Sequence, residues 1–154
     1  MRSVDSVVRW RSLQIVHAGF AVSLVIYGLL LYLMQRYGTM PTDGYNPPLA
    51  AQLRYPLYAV ALANWFAVLI LRRFLLNPHR LRRAAKPVAE LIKNQIILFV
   101  LSEAIGLWGF ILALLGGQTI EFIFLGVLSL FTLITLAPRY HLFEELVTLE
   151  ASKP

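Results

Sequence analysis

The chain has 154 residues, of which 58% are hydrophobic and 14% charged, with no cysteine and a net charge of +6, and its mean hydropathy is +0.67. This length suits one domain, 1–154, and its apolar residues fall in long blocks with no polar helix face wide enough for a water-soluble fold. Disulfides and thiolate metal sites are excluded, and because the basic residues flank apolar blocks rather than forming a basic face, no nucleic-acid partner is expected.

In chain order, Arg2, Arg9 and Arg11 precede a first apolar stretch, about 12–34. It is too long for a signal-peptide core and no small-residue cleavage site follows it, so an uncleaved first span is expected. Residues 35–54 are rich in turn formers (Gly38, Pro41, Asp43, Gly44, Asn46, Pro47, Pro48) and read as an irregular loop. A second span covers about 56–76. The basic stretch 77–90 follows, in which Pro78 and Pro87 bracket a short helical turn. A third span, about 91–115, leads through Gly116-Gly117-Gln118 into a fourth, about 119–137, so these two form an antiparallel hairpin closed by Pro138. In the tail, Leu142, Phe143, Leu146 and Leu149 alternate with Glu144, Glu145 and Glu150 at the spacing of a short amphipathic surface helix. Each span has roughly the 20 residues a membrane helix needs. The expected fold is therefore all-α, a four-helix transmembrane bundle.

With four spans, both termini and the 77–90 loop share one side, which would hold twelve of the 14 Lys and Arg residues, leaving Arg36 and Arg54 on the other. The positive-inside rule then makes both termini cytoplasmic, in a cytoplasmic (inner) membrane. Arg72, Arg73, Arg80, Arg82, Arg83 and Lys86 form a candidate lipid- or partner-binding set on that side. Trp10, Tyr32, Tyr37, Tyr55, Tyr58 and Tyr140 fit an interfacial aromatic belt.

Glu103 is the one charged residue in the otherwise apolar stretch 96–115. A carboxylate at such depth costs roughly 2.5–3.5 kcal/mol on insertion scales, so it calls for a partner, a proton or a watery cavity. Counted from the basic end, Glu103 lies on the order of 16–18 Å deep, near the midplane. Ser23 and Asn64 come out at a similar level, which makes Glu103, Asn64 and Ser23 a candidate ion-coupling layer. Ser102 points about 100° away around the helix, and Ser129 and Thr132 count as nearer the cytoplasm. Three roles stay open for Glu103: a protonated interhelical hydrogen-bonding group, a protonatable coupling carboxyl, and a contact to a partner subunit. His17 reads as a satisfied interfacial histidine, since no second histidine stands at a matching depth for a bis-histidine haem. Gly106 and Gly109 read as points of close helix approach. No nucleophile–base pair, metal cluster or phosphate loop occurs, so neither an enzyme nor a cofactor is expected.

Residues 101–111 carry Glu103-Ala104, then Trp108-Gly109, then Phe110-Ile111. This order resembles the carboxylate helix of the proteolipid (c) subunits of rotary ATPases. Alternating alanines in the second span (Ala59, Ala61, Ala63) stand where that family has a glycine repeat, and Asn77-Pro78 with nearby arginines where it has a short polar loop. The resemblance implies that Glu103 is the ion-binding carboxylate of a proton- or cation-coupled membrane subunit. The alternative is a non-catalytic accessory subunit of a larger membrane complex. Expected partners are membrane lipids and other membrane subunits, or further copies of the chain.

Overall fold

The computed structural model describes residues 4–152, so Arg2 and Lys153 lie outside the described residues. Six helices follow in order: α1 (Val4–Arg36), α2 (Pro47–Leu75), α3 (Pro78–Arg83), α4 (Pro87–Gly116), α5 (Thr119–Thr135) and α6 (Tyr140–Ala151). The described residues contain no strand. α1, α2 and α4 are each long and apolar enough to cross a membrane. α5 has 17 residues and makes a fourth candidate only together with α6, across a 45° bend. At about 1.5 Å per residue α5 alone spans roughly 26 Å, just under a hydrocarbon core of roughly 30 Å.

The surface fits that reading. Ile15, Val25, Phe66, Ile70, Phe124, Val127 and Phe131 are all more than half exposed. An apolar surface spread over three long helices far exceeds the isolated patches that water tolerates, and suits hydrocarbon.

α4 is the hub. Leu98, Phe99, Ile105, Leu112 and Ala113 are fully buried along it. α1 packs on α4 and α5, and α2 packs on α4, but α1 and α2 have no substantial contact with each other. The helices thus line three sides of α4 rather than closing a square around a shared axis. At Gly109 a Cβ would stand 2.8 Å from the Leu125 Cβ and 3.1 Å from the Glu121 carbonyl oxygen. The missing side chain is what lets α4 and α5 run this close.

Helix ends explain several buried polar residues. The last carbonyls of a helix have no partner within it, and leaving them bare in an apolar bundle is costly. Two neighbouring amides near the start of α4 meet this need in opposite directions. Asn94 Nδ2 donates to Leu75 O at the end of α2, at 3.0 Å. Gln95 Nε2 donates to Leu136 O at the end of α5, at 2.7 Å. His17 Nε2 donates to Leu133 O at 3.0 Å, which requires the tautomer with hydrogen on Nε2. Its ring centroid lies 4.8 Å from that of Phe99.

The expected loop 35–54 is much shorter in the structure, because α2 begins at Pro47 rather than near Pro56. Asn46 caps it, its side chain accepting from Leu49 N at 3.2 Å. Pro47 and Pro48 occupy the first turn, where a fixed φ and a missing N–H do no harm. Pro56 lies inside the helix. The short turn between the prolines is α3. The 37–46 segment folds onto the end of α4, with Tyr45 N donating to Leu114 O at 3.1 Å and Asn46 N to Leu115 O at 3.0 Å. Gly117 ends α4 in the left-handed region, at φ 71°, and a Cβ there would stand 2.7 Å from Gly44 N. Gly117→Ala is therefore expected to destabilise the fold by at least about 1–2 kcal/mol, the cost of forcing an L side chain into that conformation. Thermal unfolding in detergent against wild type measures it.

α6 spends its apolar face on the protein. Phe143 and Leu146 are buried against Leu81, Val88 and Leu91, and Trp10 packs edge-on to Tyr140 at 5.2 Å. Arg82 of α3 pairs with Glu145 of α6. The apolar spacing that suggests a helix lying on lipid here serves a contact with α3 and the start of α4.

Candidate functional site

Glu103 sits in the middle of α4 and turns toward α1. Ser23 Oγ donates to Glu103 Oε1, and Tyr27 OH donates to the same oxygen at 3.2 Å. Ser23 Oγ also lies 2.8 Å from the Phe20 carbonyl oxygen. Its single hydrogen can thus serve either the carboxyl or its own helix. Ser23 and Tyr27 stand four residues apart, one above the other on a single face of α1. The Tyr27 ring is held by Phe110, with centroids 5.1 Å apart.

Both hydroxyls converge on Oε1, and among the described residues Oε2 takes no hydrogen bond. Glu103 is only partly buried. Val100 and Leu107, one helical turn to either side on the same face of α4, are 50% and 36% exposed. The carboxyl therefore stands at the edge of the stripe that α4 leaves uncovered where α1 and α2 part. One oxygen is anchored by α1, and the other has no hydrogen-bond partner among the described residues.

The candidate layer is only partly assembled. Ser23 meets Glu103. Asn64 is partly buried on α2 and makes no hydrogen bond to Glu103. α2 approaches α4 without touching α1 substantially. Equal depth along two helices does not bring their side chains to the same side of a third. Ser129 stands level with Ser102: its Oγ donates to Ser102 O at 2.6 Å, while Ser102 Oγ donates to Leu98 O at 2.8 Å. At one level, then, α4 is tied to α1 through Glu103 and to α5 through Ser129.

A second polar cluster lies at the opposite end from α3 and α6. Glu121, 5% exposed, pairs with Arg54, whose Nη2 stands 2.5 Å from Glu121 Oε1 and whose Nε donates to the same oxygen at 2.6 Å. Arg54 Nη2 also donates to Gln118 Oε1 at 2.8 Å. Gln35 Nε2 donates to Thr119 Oγ1 at 2.6 Å. Sequence reasoning missed Tyr27 and this pair. The four-residue spacing from Ser23 is the signal that would have found Tyr27.

Of the basic loop residues, Arg82 is engaged with Glu145, whereas Arg72 and Arg73 lie in the last turn of α2 and border a cleft. The described residues hold no cluster of three or more His, Cys, Asp or Glu side chains placed to bind a metal ion.

No protein-family model matches the chain, and no curated protein or solved structure is detectably similar to it. The likeness of residues 101–111 to the proteolipid carboxylate helix thus rests on that segment's own residues.

Proposed function

We propose that the chain is a small multipass membrane subunit, with four spans and cytoplasmic termini, in which Glu103 is a protonatable carboxyl used in proton or cation coupling. The observation that carries this reading is the half-anchored state of Glu103. Two hydroxyls from α1 hold Oε1, while Oε2 has no hydrogen-bond partner among the described residues and stands beside an exposed stripe of α4. A carboxyl that only fastens α1 to α4 needs no reachable second oxygen, whereas one that exchanges a proton or holds a cation does. The hydroxyls suit either protonation state. They donate to a carboxylate, and they donate equally to the carbonyl oxygen of the neutral acid. The distribution of basic residues supports the sidedness, since α3, α6 and the cation-rich helix ends lie together.

The second reading is an accessory subunit of a larger complex in which Glu103 stays protonated and fastens α1 to α4. It is favoured by the direct interhelical bonds to Ser23 and Tyr27, of a kind worth about 0.6 kcal/mol on average in membrane bundles.

Carbodiimide labelling separates the two. These reagents attack the protonated carboxyl, so an exchanging Glu103 should label in membranes at a rate that falls as pH rises. Mass spectrometry of the peptide containing residue 103 reads the modification. Absence of labelling over the whole pH range in which the fold survives would leave the coupling reading without support and favour the accessory one.

A further inference from the structure

A cleft of about 1080 Å³ opens at the end of the molecule that carries α3 and α6. Its walls come from Trp10 and Leu13 of α1, the last turns of α2, the break between α5 and α6, and the start of α6. The volume is at the upper end of ligand pockets, which run from roughly 300 to 1,000 Å³.

Two features coincide there. Leu69, Ile70 and Phe74 form an apolar lane down α2, and all three are exposed along the bundle's outer surface. Arg72 and Arg73 lie on α2 just past Leu69 and Ile70 and just before Phe74, and Arg139 stands on the cleft wall after α5. None of the three guanidinium groups makes an ion pair or a hydrogen bond among the described residues. The one acid on the cleft wall, Glu145, is already paired with Arg82. A pocket with three unpaired guanidinium groups above an apolar wall matches an amphiphile with an anionic head and a long apolar tail. A guanidinium fork meets phosphate oxygens in pairs, with more directional force than an ammonium. Basic pockets between membrane helices on the cytoplasmic side are suited to anionic lipid headgroups.

We infer that this cleft is a binding site for an anionic phospholipid, with its phosphate between Arg72, Arg73 and Arg139 and an acyl chain along Leu69 and Ile70. The site is narrower than the basic loop as a whole. Arg80, Arg83 and Lys86 lie outside it, and Arg139, beyond the last long helix, joins it. It does not depend on what Glu103 does.

The test uses the full chain in mild detergent, titrated with phosphatidylglycerol, phosphatidylcholine or inorganic phosphate and followed by native mass spectrometry. Wild type should retain phosphatidylglycerol at least about tenfold more tightly than phosphatidylcholine, as expected for several arginines near one phosphate. R72Q/R73Q/R139Q should bring phosphatidylglycerol down to the phosphatidylcholine level. R80Q/R83Q/K86Q removes the same charge outside the cleft and should change retention by less than about twofold. Ile70→Trp leaves every arginine in place and crowds the apolar lane at an exposed position, so it should also weaken phosphatidylglycerol. Should the triple cleft variant fail to fold, as judged by its helical circular dichroism, Arg139→Gln alone carries the charge arm, with a smaller loss in the same direction. Equal losses in the two triple variants would reduce the site to diffuse surface attraction and overturn the inference. So would displacement of the lipid by equimolar inorganic phosphate, or unchanged binding in Ile70→Trp.

Discussion

On the proposed coupling role, Glu103→Gln is expected to abolish any carbodiimide-sensitive, ion-driven activity, while α1 and α4 stay packed. Glutamine keeps the length of the side chain and an oxygen that accepts from Ser23 and Tyr27, so the change in stability should stay within about 1 kcal/mol. What it removes is the proton that a carboxyl binds and releases. Glu103→Leu makes the complementary measurement. It relieves the cost of placing a carboxyl in hydrocarbon, roughly 2.5–3.5 kcal/mol when unpaired, but strips the acceptor from two hydroxyls. Ser23 can fall back on Phe20 O, 2.8 Å away. Tyr27 keeps the Ser23 hydroxyl as a hydrogen-bonding neighbour, so the loss of its bond to Glu103 should cost at most about 1–3 kcal/mol. The two effects nearly cancel, and Glu103→Leu is expected to fold. Coupled activity should be lost in both variants. Activity surviving in Glu103→Gln at the wild-type level would remove the coupling role and leave the interhelical one. Tyr27→Phe refines the result. It takes away one of the two hydroxyls on Oε1, so the pH dependence of labelling at Glu103 should shift while the labelling itself remains. A tyrosine that serves only packing would leave that profile unmoved.

The long helices were legible in the sequence because each is an apolar block of membrane length ended by turn formers or charge. Where the reading failed, the cause was local chemistry with two meanings. Pro47-Pro48 marks a loop when read alone and a helix start when Asn46 caps it, so α2 begins well before the residue that periodicity selects. The tail's apolar spacing fits lipid and protein equally, and only the burial of Phe143 and Leu146 distinguishes them. For the candidate site, counting residues along a helix yields depth and nothing else. It matched Ser23 with Glu103, which face each other, and it matched Asn64 as well, which shares no hydrogen bond with Glu103. The missing information is the direction each side chain takes around its helix and the order of helices around α4. Neither follows from hydropathy, because α4 is apolar on all sides. Asn94 and Gln95 show the same limit. Two amides in an apolar run announce that something polar is nearby, and the carbonyls they meet, Leu75 O and Leu136 O, belong to helices that only the packed structure brings together.

Arg54→Ala should be strongly destabilising at the end of the molecule opposite α3 and α6, because of what it does to Glu121. The carboxyl side chain is 7% exposed and the guanidinium side chain 43%. Removing the arginine leaves a nearly buried carboxylate without its counter-charge, and leaves Gln118 Oε1 without its donor. Breaking a fully buried pair in this way costs about 3–5 kcal/mol. Because the arginine is half in solvent and the lone carboxylate can take up a proton, about 2–3 kcal/mol is expected here. Glu121→Gln should cost less, since an amide oxygen still accepts from Arg54 and no isolated charge remains. The asymmetry between the two variants is the diagnostic, readable from unfolding midpoints in detergent. Equal and small effects would mean that the pair is a surface contact of little weight. The double variant, with alanine at 54 and glutamine at 121, should recover most of the loss of Arg54→Ala, because the uncompensated charge is then gone. That recovery would identify the penalty as electrostatic. It would also show that the contact of α2 with α5, made here through Arg54 and again through Tyr58 against Phe124 at 6.3 Å, rests on a charge pair, whereas α2 packs closely on α4.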